Sequence, residues 1–261
     1  MKKIYIIPDA ADIERSIALS ELYGAGFEYN DFSYPEILDD EGEVERRISF
    51  YRSLDRDRGD DMLHGAFLDV TVHSADPLIR AVSDKRVRKS MDIAAALGIR
   101  GVVFHTNFIP NFRSEFYVDG WIERNASYWR AIAEEYGELD IYMENMFDSD
   151  PEMLFALAER LRDVKNFGVC LDVAHTNVFG DGSAEWIRRL APYIAHVHIN
   201  DNDKREDLHA AIGTGKLDFS LFDREIRGIG RAPSVLVEIR DHGSQRLSME
   251  YLKEHGIYPF D

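Results

Sequence analysis

The chain has 261 residues, 45% hydrophobic and 30% charged, with a formal net charge of −17. A surface this acidic repels nucleic acid unless a basic patch is set into it, which argues against nucleic acid as a partner. No apolar run approaches the roughly 18 residues of a membrane span. The run after Lys2-Lys3 stops at Pro8-Asp9, too short for a signal peptide. Cys170 is the sole cysteine, so no disulfide closes within the chain, and a reducing cytoplasm is the expected compartment.

Taken in order, the pattern alternates strand and helix. Strands are expected at 3–7, 25–29, 64–72, 100–105, 139–145, 167–173, 194–199 and 234–239. Between them, apolar residues recur at helical spacing over Asp12–Tyr23, Glu43–Leu54, Asp84–Leu97, Trp121–Tyr136, Pro151–Val164, Ala184–Tyr193, Phe219–Ile226 and Arg246–His255. Asp150 can cap a helix whose first residue is Pro151, and Gly24, Gly98 and Gly137 fall where helices should stop. Eight β-α pairs without a break in composition predict a single α/β domain, residues 1–261, folded as a (β/α)8 TIM barrel. Two connections are long, 30–42 and 106–120, and both follow strands, at the end of the barrel where such folds place their sites. The basic clusters Lys85–Lys89 and Arg188-Arg189 read as solvated helix faces, and Trp121, Trp129 and Trp186 as core packing.

Six apolar runs end in a residue able to bind a metal. They are Val70-Thr71-Val72-His73, Val102-Val103-Phe104-His105, Ile141-Tyr142-Met143-Glu144, Val169-Cys170-Leu171-Asp172, Val197-His198 and Val235-Leu236-Val237-Glu238. Side chains alternate across a strand, so Glu144, Asp172, His198 and Glu238 become the last inward residues of strands five to eight. Three carboxylates crowded together repel, and a divalent cation removes that penalty. Three carboxylates and an imidazole suit Mn, Mg, Co or Zn without choosing among them. His196, deeper in its strand, reads as a core histidine, and His64, His242 and His255 carry no partner pattern. Gly213-Thr214-Gly215 reads more readily as a turn than as a phosphate cradle.

These residues resemble the xylose isomerase-like barrel superfamily of sugar isomerases, ketose 3-epimerases, inosose dehydratases and metal-dependent abasic-site endonucleases. The resemblance spans about residues 64–241. It rests on Glu144-Asn145, Leu171-Asp172-Val173-Ala174-His175, His196-Val197-His198-Ile199-Asn200-Asp201, the run Asp207-Leu208-His209 through Gly213-Thr214-Gly215 to Phe219, and Val237-Glu238. It implies one shared metal on Glu144, Asp172, His198 and Glu238, with Glu144 and Glu238 also the catalytic acid/base pair acting on a sugar or sugar phosphate. His175 would bind a substrate hydroxyl, and Lys204 or Arg205 a substrate oxygen or phosphate. His73, His105, His175, Asp207 and His209 match positions that complete a three-zinc cluster in the endonucleases, so more than one Zn is a second expectation. The sequence reading is therefore a metal-dependent sugar isomerase or epimerase. A multi-zinc phosphodiester hydrolase, a cyclic-polyol dehydratase and a ligand-binding barrel stay open, as does a homo-oligomer.

Overall fold

The computed structural model describes residues 3–261. Eight parallel strands close in sequence order into a barrel. They are β1 (Ile4–Ile6), β2 (Gly26–Tyr29), β3 (Met62–His64), β4 (Gly101–His105), β5 (Asp140–Glu144), β6 (Phe167–Asp172), β7 (Ile194–Ile199) and β8 (Ser234–Val237). Around them run α1 (Ile13–Tyr23), the short α2 (Pro35–Leu38), α3 (Glu41–Ser53), α4 (Pro77–Leu97), α5 (Glu115–Glu135), α6 (Glu152–Arg160), α7 (Val173–Val178), α8 (Ser183–Leu190), α9 (Phe219–Gly228) and α10 (His242–Glu254). Among the described residues no helix is long and apolar enough to cross a membrane.

The helices start where local chemistry says they should. Asp76 accepts from the Leu78 amide with Pro77 at the first position, so α4 begins well before the apolar periodicity. Ser114 caps α5 in the same way and shortens the predicted 106–120 loop. Asp150 accepts from the Glu152 amide as expected, although the helix proper begins one residue later than predicted. Gly24 and Gly98 take left-handed backbone at helix ends (φ 64° and 68°). Gly137 does not, because Tyr136 already caps the end of α5. The three tryptophans are buried between sheet and helices. Lys85, Arg86, Arg88 and Lys89 lie on α4 and pair with Asp39, Asp84, Glu135 and Glu41.

Strand three departs from expectation. It ends at His64, and the run Val70-Thr71-Val72-His73 is a loop outside the sheet, turning at Val72-His73. Val70 and Val72 are apolar because they are buried beneath the rim, without being paired in the sheet.

Candidate metal centre

The barrel interior has one apolar layer, made of Tyr5, Met62, Val103, Tyr142, Cys170 and Leu236. Side chains alternate along a strand, so the next inward residues lie two positions further on. Those positions are Ile7, His64, His105, Glu144, Asp172 and Glu238, with His198 two after His196 on β7. The pairing register sets His105 opposite Glu144 and Asp172 opposite His198. One ring of imidazoles and carboxylates thus closes the mouth of the barrel, and all of its members are buried.

Two sets within this ring have donor atoms mutually within 4.8 Å: Glu144, Asp172, His198 and Glu238, and His64, His105 and Glu144. Glu144 belongs to both, and its oxygens divide between them. Oε2 lies 3.3 Å from His105 Nε2 and 3.8 Å from His64 Nε2. Oε1 lies 3.3 Å from His198 Nδ1 and 3.7 Å from His175 Nδ1. Both Glu144 oxygens, Asp172 Oδ2, Glu238 Oε2 and His198 Nδ1 are buried without a well-formed hydrogen bond. Buried polar atoms in native proteins are seldom left so, and this many facing one another fit bound cations.

A third group stands outward of the ring. His175 Nε2 lies 3.4 Å from Asp207 Oδ2, and His209 Nε2 lies 2.9 Å from the same oxygen. The His209 ring also meets the Glu238 carbonyl at 2.8 Å. His209 holds left-handed backbone (φ 46°), an uncommon conformation for a non-glycine residue. Its loop is anchored at both ends. Asp201 and Ala210 exchange backbone hydrogen bonds in an isolated bridge. The Asp201 carboxylate accepts from the amides of Asn202, Gly213, Gly215 and Leu217. The glycine turn therefore cradles an internal carboxylate, in line with a turn and not a phosphate site. Gly215 is required there because a Cβ would run into Asp201 and the Asn202 carbonyl.

Beneath the ring lies an acid that the sequence did not flag. Glu28 on β2 is fully buried, with Oε1 3.2 Å from His198 Nε2 and Oε2 3.1 Å from His196 Nε2. His196 Nδ1 meets Ser234 Oγ at 2.7 Å, so the expected core histidine is satisfied on both sides. Glu28 backs the His198 ring while Nδ1 of that ring faces Glu144 and Glu238, the arrangement by which carboxylates orient metal-binding imidazoles.

The charges are strongly coupled. Burial pushes the Glu28 carboxyl up, but His198 and His196 outweigh it and hold it down at about 2. Burial likewise opposes ionisation of Glu238, yet His209 and His198 bring it to about 2. Asp172 is raised chiefly by burial, against the opposing pull of His175 and with Glu238 and Glu144 adding to it. Burial disfavours protonated His209, but Glu238 and Asp207 raise it to about 10. His175 and His198 are raised against burial in the same way. Without a metal, then, Glu238 and Asp207 favour the protonated His209 imidazole, and a cation binding there would displace that proton. Zinc binding at pH 7 is expected to release about one proton or more per ion, with affinity rising as pH rises. Calorimetry in buffers of different ionisation enthalpy measures this, and zero proton release would contradict it.

The mouth opens into a cavity of about 420 Å³ whose walls include Ile7, Asn30, Tyr34, Phe67, Met146, Leu208 and Arg240. His64, His105, His175, Asp207, His209 and Glu238 line it. His73 does not. It packs beside Trp121 and Tyr117 behind the rim, where burial and Arg124 bring its pKa down to about 4. The residue at the end of the third strand is His64, hidden from sequence reading by the false strand that follows it. Lys204 lines a separate depression with Asn177 and Leu217, and Arg205 is exposed on the same loop. Neither lines the cavity, whose cationic arginine is Arg240.

Residues 44–255 match the family model described as xylose isomerase-like TIM barrel. Uncharacterized protein MJ1311 of Methanocaldococcus jannaschii is 30% identical over 80% of this chain and 75% of its own. The “Probable endonuclease 4” of Mycobacterium leprae is 28% identical over 74% of this chain and 77% of its own. Among solved structures, the TTHB071 protein from Thermus thermophilus, soaked with ZnCl2, superposes with a TM-score of 0.70 at 25% identity, covering 95% of this chain and 98% of that one. A D-tagatose 3-epimerase-like protein superposes with a TM-score of 0.74 at 24% identity, covering 98% and 97%. With the closed parallel barrel and its ring of ligand-type side chains, these matches establish that the chain belongs to the xylose isomerase-like TIM barrel family.

Proposed function

We propose that the chain is a metal-dependent phosphoester hydrolase that holds at least two ions at the barrel mouth. One would sit on His64, His105 and Glu144, the other on Glu144, Asp172, His198 and Glu238, with His175, Asp207 and His209 beside them. The observation that carries this reading is the division of the two Glu144 oxygens between two imidazole groups. A carboxylate with one oxygen facing each set would be shared between two ions, and one so held would have no free oxygen with which to take a proton from carbon. These donors together also exceed what one ion of about four to six ligands can use. Two bound divalent ions would supply Lewis acidity to a phosphoryl group and acidify a water. The chain's own part is to fix the donors by strand register, orient His198 through Glu28, and exclude water with Ile7, Tyr34, Phe67 and Met146. The likeness to an endonuclease supports the same chemistry. The net charge of −17 favours a small phosphoester over a duplex.

A second reading is the sugar isomerase or epimerase of the sequence analysis, with one ion on the four-residue set and Glu144 and Glu238 moving the proton. The compact cavity, and a four-residue set that is complete without the outer histidines, favour it. Elemental analysis after zinc loading and dialysis, with assays on bis(p-nitrophenyl) phosphate and on D-tagatose and D-fructose, separates the two. Two or more zinc ions per chain with chelator-sensitive phosphodiester cleavage is expected. One ion per chain with ketohexose turnover and no cleavage would overturn the hydrolase and support the second reading.

A further inference from the structure

A second cavity, of about 580 Å³, adjoins the metal cavity on the side of the β1, β2 and β8 loops. Ile7, Asn30, Tyr34 and Arg240 line both and form the saddle between them. Two of these four carry the argument. Among the described residues Arg240 makes no hydrogen bond or ion pair, although its side chain is exposed in a chain rich in carboxylates. Asn30 Oδ1 is buried with no donor facing it. The other cations of the outer cavity are occupied, since Arg46 and Arg47 both hold Glu43. Of its carboxylates, Asp9 accepts from the Ala11 amide and Asp31 from the Tyr51 hydroxyl, while Glu36 is exposed at the edge.

We infer that the saddle is a second substrate subsite, in which Arg240 binds an anionic group and Asn30 accepts from a neighbouring hydroxyl. The substrate class this fits is a polyhydroxylated molecule carrying two anionic groups, one at the metal ring and one on the saddle. A guanidinium suits this task because it stays charged and presents a fork of donors to phosphate or carboxylate oxygens. The carboxamide oxygen adds selectivity, because a buried acceptor left unpaired penalises ligands without a hydroxyl there. This assignment rests on the hydrolase reading only for the identity of the group facing the metals.

Calorimetric titration of the zinc-loaded protein with fructose 1,6-bisphosphate, fructose 6-phosphate and fructose tests it. Wild-type protein is expected to prefer the bisphosphate over the monophosphate by about tenfold or more, the size of one charge-assisted hydrogen-bonded pair. Arg240→Gln is expected to bring that ratio to near one with zinc content unchanged, and Arg240→Lys to recover part of it. Equal binding by wild type, or an Arg240→Gln variant that keeps the full preference, would overturn the subsite. A chain that holds one zinc and cleaves no phosphodiester, yet shows an Arg240-dependent preference, would overturn the hydrolase while supporting the subsite.

Discussion

Replacing Glu144 with glutamine is expected to cost the protein at least one zinc per chain and to lower phosphodiester cleavage by about a thousandfold. The reasoning starts from charge. Glu144 is buried, and its oxygens face His105 and His64 on one side and His198 and His175 on the other. Burial opposes its ionisation, but His198 and His105 outweigh that and hold its pKa low. An amide of the same shape presents one weak acceptor and two donors. The donors then point at imidazoles or at a cation, and both halves of the centre lose their common ligand. Metal assistance is worth several kcal/mol of transition-state stabilisation, and each ~1.36 kcal/mol is tenfold in rate, which gives the order of magnitude. Elemental analysis and the rate on bis(p-nitrophenyl) phosphate measure the two effects, and circular dichroism checks that the barrel persists. A Glu144→Gln variant that kept two zinc ions would refute the bridging geometry.

The second large effect is expected at Glu28, which touches no substrate and acts through His198. Glu28→Gln should weaken zinc binding by roughly 10–100-fold, the usual cost of losing the group behind a metal-binding histidine. The sign of a second readout identifies the cause. Against burial, Cys170, Glu144 and Glu28 raise the pKa of His198. Removing the Glu28 charge lowers that pKa, and the proton that zinc must displace leaves more easily. The pH at which zinc affinity reaches half of its high-pH limit should therefore fall even as that limit drops; this midpoint follows the His198 pKa alone. A residue that merely packed the interior would lower the melting temperature and leave the midpoint alone. An unchanged midpoint would remove Glu28 from the centre.

Much of the site is legible in the sequence where strands are long enough to carry a pattern. On β4 to β8 an apolar run ends in a ligand-type residue, and the structure gathers His105, Glu144, Asp172, His198 and Glu238 into one ring. On β3 only three residues pair, too few for a period-two signal, and the buried Val70-Thr71-Val72 stretch imitates a strand, so His73 stands in for His64. Glu28 escapes for a different reason. It lies inside the short β2, and its partners His196 and His198 are far away in the chain, a relation that only closure of the barrel creates. Arg240 follows β8 as an ordinary exposed arginine, and nothing local distinguishes it from the paired ones. The helix starts at Pro77 and Glu115 were marked by Asp76 and Ser114, but capping residues weigh little beside a strong apolar stripe.

The loop that carries Asp207 and His209 has a consequence for how the centre assembles. The ring positions lie on the strands or directly after them, whereas the outer pair hangs from a hairpin held to the wall at Asp201. Asp207 and His209 therefore reach the ring from a short segment pinned between Asp201 and Ala210. The inner donors would thus offer an ion a firmer berth than the outer pair. If zinc fills both, loading is expected to run from the inner set of donors outward, and stripping the other way.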